Sequence, residues 1–149
     1  MSPVATIRGQ LITDAVVQVL QALPSLTVYR SEVPDQPPKM PDSDRVAPYA
    51  VLYPFPGKPG PGGDLAGVSN DLDYGCQITV AAGYSQDCEA AVDRVHGAMY
   101  LLSPVVNGVV LGQFRPPIGY DPGPIRVDRT ITPPRSSLPL QYRLIATAN

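Results

Sequence analysis

A long alternating stretch near the middle of the chain constrains the fold most strongly. In LDYGCQITVAAGY, from Leu72 to Tyr84, apolar or aromatic side chains recur at every second position over thirteen residues. Alternation with this period is typical of a β-strand that has one face on a core. The end of the chain repeats the pattern from Leu138 to Ala148, with Ile145 as an exception on the outer face. Two strands of this kind favour an antiparallel sheet.

Two segments have the spacing of amphipathic helices. The first runs from about Ala5 to Leu23, with an apolar residue at every third or fourth position, and Pro24 ends it. The second follows Ser85, which we expect to cap the helix. Its apolar stripe continues until Ser103-Pro104 terminates it.

Proline and glycine predict long loops, since the chain contains 19 prolines and 13 glycines. Val33–Pro48 and Pro56–Asn70 are too rich in these residues for a helix or a central strand. Both flank the apolar segment Tyr49–Phe55, which we interpret as a buried strand. We expect the two loops to leave the same part of the sheet, and loops of this length often bind a partner.

Shorter strands complete the prediction. Leu26–Ser31 and Ile125–Ile131 are rich in β-forming residues, and Asn-Gly between valine pairs in Val105–Val110 indicates a tight hairpin. A chain of 149 residues suits one domain, residues 1–149. The sequence therefore predicts an α+β fold, with an antiparallel sheet of about four to six strands, two main helices and long Pro/Gly-rich loops.

Charge is unevenly distributed along the chain, although the net charge is only −2. Residues 1–103 carry 6 Lys/Arg and 11 Asp/Glu, whereas residues 104–149 carry 5 Arg and 2 Asp. An acidic part and a basic part on one chain suit self-association, and a chance imbalance on a solvated surface is the alternative. So low a net charge offers no general basis for wrapping nucleic acid. No membrane span or signal peptide is predicted, and two cysteines then favour a reduced, intracellular protein.

The reactive residue types do not form a recognisable site. Cys76 falls on the apolar face of the long strand, and Cys88 falls on the apolar stripe of the second helix. We interpret both as buried hydrophobic residues, with a disulfide or a metal site as alternatives. His96, the only histidine, is turned by about 80° from Cys88 around the helix. We expect it to border the stripe and to bond to a loop carbonyl.

No motif predicts catalysis. GKPGPGGD lacks the Gly-Lys-Ser/Thr ending of a phosphate loop, and its prolines remove backbone donors. Ser69 in GVSND does not lie in a nucleophile elbow. We therefore expect no catalytic, cofactor or metal site. A small-molecule enzyme or binding domain is the alternative from a different class.

The order of predicted elements, with LDYGCQITVAAGYSQDCEAAVDRVHGAMYLL and the earlier APYAVLYPFPG, resembles tail terminator proteins of long-tailed bacteriophages infecting actinobacteria. The local similarity is the alternating strand that runs through Gly83-Tyr84-Ser85 into a helix with an Ala/Val stripe. The resemblance covers most of the chain. It depends on the order of the elements and on their pattern of apolar residues, and not on an invariant signature.

The resemblance implies a small subunit, without enzymatic activity or cofactor, that assembles into a ring, usually a hexamer. Such a ring caps the tail tube and forms the surface that joins tail to head. The implied partners are further copies, the tail tube protein and neck proteins. Genomic DNA would pass through the lumen without sequence-specific binding, and the implied location is the tail–neck junction of the virion, after assembly in the host cytoplasm. A neck or head-completion protein is the alternative.

Two groups of residues are candidate contact sites within such a ring. We expect three arginines to pair with acidic residues of the adjacent subunit; they are Arg115, Arg126 and Arg129. We expect the two proline-rich loops to contact neighbouring rings through charged residues; these are Lys39, Asp42, Arg45, Lys58 and Asp64. Proline lowers the entropy that such loops lose on docking.

Overall fold

The computed structural model describes residues 8–59 and 72–146, which form a sheet covered by two helices. The elements in chain order are α1 Gly9–Gln21, β1 Thr27–Arg30, β2 Tyr49–Pro59, β3 Leu72–Ala82, α2 Ser85–Met99, β4 Val105–Val106, β5 Val109–Val110, β6 Arg126–Asp128 and β7 Arg135–Ala146. The fold is α+β, as predicted. Within the described ranges, no helix is long and apolar enough to cross a membrane.

Five strands form the main sheet in the order β1-β2-β3-β7-β6, and β4 and β5 form a separate hairpin. Three of the neighbouring pairs are antiparallel, but β1 pairs with β2 in parallel. The sheet is therefore mixed: the predicted antiparallel arrangement holds for three of its four strand pairs, and the β1–β2 pair at this edge is parallel. The reason is the proline-rich connection after β1, which returns the chain to the end of the sheet where β1 begins. The Asn-Gly hairpin is confirmed, with Val105 opposite Val110.

The main core lies between one face of the sheet and both helices. Alternate residues of β3 and β7 point into it and are almost fully buried, as the sequence alternation predicts. From α1 the core takes Ile12, Val16 and Leu20, and from α2 it takes Ala91, Val95 and Met99. The segment after β5 adds Leu111 and Phe114, so this end of the core is closed by a loop rather than by a third helix.

The opposite face of the sheet is covered at one end by the first proline-rich loop. Val46 of that loop is fully buried and packs with Tyr49, Val51 and Ala81. The loop is held as a narrow hairpin, because the Met40 amide donates to the Arg45 carbonyl at 2.9 Å and the Ala47 amide donates to the Pro38 carbonyl at 2.8 Å. The predicted loop therefore exists, and it is packed onto the sheet.

Several helices and strands begin or end at residues other than those predicted from the sequence. The first helix begins at Gly9, and the predicted residues before Arg8 lie outside the described part. Ser85 is the first residue of α2 rather than its cap; Tyr84 holds the cap position without a side-chain hydrogen bond. The strand predicted over Ile125–Ile131 contains only Arg126–Asp128.

β2 is longer than predicted, because it continues beyond Phe55 to Pro59. A register shift between Phe55 and Lys58 allows this continuation, since a β-bulge leaves the intervening Pro56 and Gly57 without partners in the ladder. Part of the second predicted loop is therefore strand. The remainder of that loop, residues 60–70, lies outside the described part.

Pro139 lies in the middle of β7 without interrupting the ladder to β3. Its carbonyl accepts a hydrogen bond from the Tyr120 hydroxyl at 2.8 Å, on the side away from β3. The nitrogen and carbonyl of a strand residue point to the same side, so the missing N–H of Pro139 removes no bond to β3.

Candidate subunit interface and the cysteine–histidine region

Cys76 and Cys88 are free thiols buried in the core, as predicted. Cys88 Sγ lies 3.6 Å from the Val80 carbonyl oxygen, which is the weak contact of a buried thiol. Burial raises the pKa of Cys76 to about 12 and that of Cys88 to about 11. Both thiols are therefore protonated at neutral pH, and the thiolate, which is the nucleophile and the metal ligand, is disfavoured.

His96 contacts a tyrosine rather than a loop carbonyl, so the predicted partner was wrong. Its Nδ1 lies 2.7 Å from the Tyr142 hydroxyl, and the two rings stack with centroids 5.9 Å apart. His96 is exposed on α2, and this contact joins the helix to Tyr142 of β7. Among the described residues, no group of three His, Cys, Asp or Glu side chains is arranged to hold a metal ion.

The first proline-rich loop presents three of the predicted contact residues. Lys39 is exposed and lies 3.9 Å from Asp44, whereas Asp42 is exposed at the tip of the hairpin. Arg45 is turned toward the body of the protein, where it forms an ion pair with Asp87 at 3.5 Å. Its guanidinium also lies 4.3 Å from the centre of the Tyr84 ring. Arg45 thus anchors the loop to α2, whereas Lys39 and Asp42 are exposed.

A cleft of about 650 Å³ lies between this loop, the start of β1 and the first turns of α2. Its walls are mixed in polarity, with Leu26, Met40 and Pro48 among the apolar residues. Its charged lining residues are Lys39, Asp87 and Arg94.

The two proline-rich loops do not leave the same part of the sheet. Val33–Pro48 leads into β2 at Tyr49, whereas the described chain leaves β2 at Pro59, at the opposite end of this 11-residue strand. The backbone of Lys58 pairs with that of Asp73. Asp64 lies outside the described residues.

Arg115 lies beside β7, where its backbone forms both hydrogen bonds of a bridge with Arg143, at 3.0 and 2.7 Å. The Arg143 guanidinium forms two hydrogen bonds with the Asp73 carboxylate on β3, and these bonds raise the pKa of Arg143. The Arg115 guanidinium donates to the side-chain amide oxygen of Gln113 at 3.4 Å. Its charge is thus held at the surface, next to a fixed ion pair.

A shallow groove of about 550 Å³ beside Arg115 is bordered by an exposed turn. The Tyr120 amide donates to the Pro117 carbonyl at 3.0 Å, and Gly119 has φ +78°. Positive φ at the third position, which glycine tolerates, is typical of a type II turn. Ile118 at the second position has a relative exposure of 105%. The sequence signal for this turn is Pro-Ile-Gly, a motif too short to have a helix or strand periodicity.

Arg126 and Arg129 are exposed at the β6 edge, away from Arg115. Arg126 is opposite Ser137 on β7, whereas Arg115 is opposite Arg143. Those β7 positions are separated by roughly 20 Å at the usual rise of a strand. The predicted arginines therefore form two sites on one side of the sheet rather than one cluster.

The comparisons with known proteins support the fold and leave the function open. No protein-family model matches the sequence, and no curated protein matches it. One solved structure, of a protein without a functional name, aligns with a TM-score of 0.55 and 16% sequence identity. The alignment covers 93% of this chain and 94% of the other. At this identity the similarity shows a shared fold alone.

Proposed function

We propose that this chain is a virion structural protein, a tail terminator that forms a ring on the tail tube of a long-tailed bacteriophage. The observation that supports the proposal most directly is the order of elements, α1-β1-β2-β3-α2 followed by short strands and β7. This is the order on which the sequence resemblance depends. The long strand β3 also runs directly into α2 through Gly83 and Tyr84, as the resemblance requires.

The distribution of surface groups is compatible with a ring subunit. The hairpin of residues 38–47 precedes β2, and the described chain leaves β2 at Pro59, so the two ends of this strand could face different neighbours along the tail axis. The exposed arginines lie on the flank of the sheet, where an adjacent subunit would pack. In this proposal the loops contact the tail tube protein on one side and neck proteins on the other.

Electron microscopy of particles assembled without this protein tests the proposal. A tail terminator stops tube growth, so we expect tails longer than those of the complete virus. Full heads that lose DNA, with tails of normal length, would instead identify a neck or head-completion protein. Normal particles would exclude both structural functions.

A second experiment tests the arginine contacts. Light scattering should detect a ring of the purified protein, alone or with the tail tube protein. Charge reversal in Arg126→Glu/Arg129→Glu tests the proposed pairing with acidic groups of the adjacent subunit: it should weaken the ring, because the new carboxylates would repel those groups. Arg115→Glu is tested separately, since it lies at the other end of β7. Assembly that is unchanged in both variants would contradict the pairing.

A further inference from the structure

The main sheet has two edges without a partner strand within residues 8–59 and 72–146. These edges are the outer sides of β1 and β6, because the strand order is β1-β2-β3-β7-β6. An edge strand presents backbone donors and acceptors that another strand can satisfy. The chemistry of both edges therefore favours a β-strand as partner.

The backbone of β1 is arranged to pair on both sides. The Thr27 amide donates to the Pro48 carbonyl at 3.3 Å, and the Ser31 amide donates to the Leu52 carbonyl at 2.9 Å. Successive amides of a strand point to opposite sides, so those of Val28 and Arg30 point away from β2. The strand sequence TVYR contains neither proline nor glycine, so no residue in it prevents pairing.

The directions of the strands make the two edges complementary. β1 is parallel to β2, and β2 is antiparallel to β3. β7 reverses the direction again, and β6 reverses it once more. β6 therefore runs opposite to β1. A second copy placed beside β6 in the same orientation presents its β1 antiparallel to that strand, with the helices of both copies on the same side of the sheet.

The valines at the two edges, Val127 on β6 and Val28 on β1, face the same side of the sheet. Val127 is opposite Ser136, whose side chain is buried on the helix side of β7, so Val127 faces that side and is 52% exposed. Val28 packs against the main core and thus faces the same side. In an antiparallel pair with Val127 opposite Val28, each valine covers the other. Arg126 then lies opposite Tyr29 on the outer face, and Asp128 lies opposite Thr27.

We propose that copies of this chain join edge to edge, with β6 of one copy pairing antiparallel with β1 of the next and Val127 opposite Val28. This inference rests on the proposed ring and identifies its subunit contact. The contact uses different surfaces on the two copies, so it repeats around a ring when the rotation between copies closes. A continuous sheet would then run around the ring.

Disulfide trapping in the full-length protein tests this contact. Paired residues of antiparallel strands have Cα atoms about 4.5–5.5 Å apart, which is within the range that a disulfide spans. Mild oxidation of the Val28→Cys/Val127→Cys variant should give a ladder of covalent multimers on a non-reducing gel, with the disulfide between the two introduced thiols identified by mass spectrometry. The native thiols are buried and should not compete.

Matched variants make the result specific. Each single variant should give no ladder, and neither should Val28→Cys/Val109→Cys, because Val109 is 42% exposed on the β4–β5 hairpin, which is a sheet separate from the one that contains β1 and β6. Thr27→Cys/Asp128→Cys tests the same register one position along and changes only exposed residues. This second pair keeps the test valid if the Val28 change disturbs packing.

The outcomes separate this inference from the proposed function. Oligomers in light scattering without a ladder in either cysteine pair would overturn the edge contact and leave the ring intact. A specific ladder, combined with normal tails in particles lacking the protein, would support the contact and overturn the tail terminator function. A protein that remains a monomer with and without the tail tube protein, and gives no ladder, would overturn both.

Discussion

Thr13 Oγ1 on α1 lies 2.6 Å from the Tyr74 hydroxyl oxygen on β3, inside the core. Thr13 also donates to the Gly9 carbonyl at 3.1 Å, so its hydroxyl proton is already used and Tyr74 is the donor between them. Burial raises the pKa of Tyr74 well above its usual value, which keeps the phenol protonated. The bond therefore fixes the position of α1 on the sheet.

Thr13→Val should lower the free energy of unfolding by about 1–3 kcal/mol, because it leaves the buried Tyr74 hydroxyl without its acceptor. Adding Tyr74→Phe removes that hydroxyl and should recover part of the loss. Urea unfolding of both single variants and the double variant gives the coupling energy. Thr27→Val on the exposed edge is the control and should change stability by less than about 0.5 kcal/mol. Additive losses from the two core changes would contradict the bond.

The sequence pattern predicts side-chain faces well where one strand has one buried face. Tyr74, Cys76 and Ile78 all point into the core, because alternation reflects burial directly. The same pattern does not predict which strands are neighbours in the sheet. The parallel pairing of β1 with β2 depends on how the proline-rich connection folds back, and local periodicity contains no information about that path.

The sequence indicates which residue types belong to the candidate site, but it does not indicate where in the fold they lie. Arg143 and Asp73 lie 70 positions apart, and they meet because of the register between β3 and β7. The separation of Arg115 from Arg126 has the same origin, since both positions are set by pairing with β7. Register is a property of the assembled sheet, so sequence alone groups these arginines by charge rather than by place.

Native Cys76 and Cys88 should react slowly with iodoacetamide at pH 8. Burial raises the pKa of Cys76 to about 12 and that of Cys88 to about 11, from 9.0, and the thiolate fraction falls about tenfold for each unit of pKa. We expect labelling to be at least about 100-fold slower than in 8 M urea, where both thiols are exposed. Mass spectrometry of timed samples measures this. Rapid labelling of one cysteine in the native protein would show that its segment opens readily.

Asp128 should titrate below its usual range, because its carboxylate accepts hydrogen bonds from the Thr130 hydroxyl and amide at 2.6 and 2.9 Å, which lower its pKa. A carboxyl pKa lowered by folding contributes stability above the unfolded value, about 3.9. That contribution is lost as pH falls through the folded pKa. NMR titration should show the shift, and Thr130→Val should reduce it because only the amide bond remains. An unchanged pKa in that variant would assign the shift to another cause.

Gly97 and Gly112 should respond in opposite ways to alanine. Gly97 lies within α2, and a Cβ added there meets no atom within 4 Å. Alanine is favoured over glycine in a helix by about 1 kcal/mol, so Gly97→Ala should raise the free energy of unfolding by up to that amount. A Cβ at Gly112 would lie 2.5 Å from the Ile145 carbonyl oxygen, so Gly112→Ala should destabilise the packing of this segment on β7. Thermal unfolding of both variants measures the difference. A lower melting temperature in Gly97→Ala than in the native protein would contradict the open space that surrounds this position of α2.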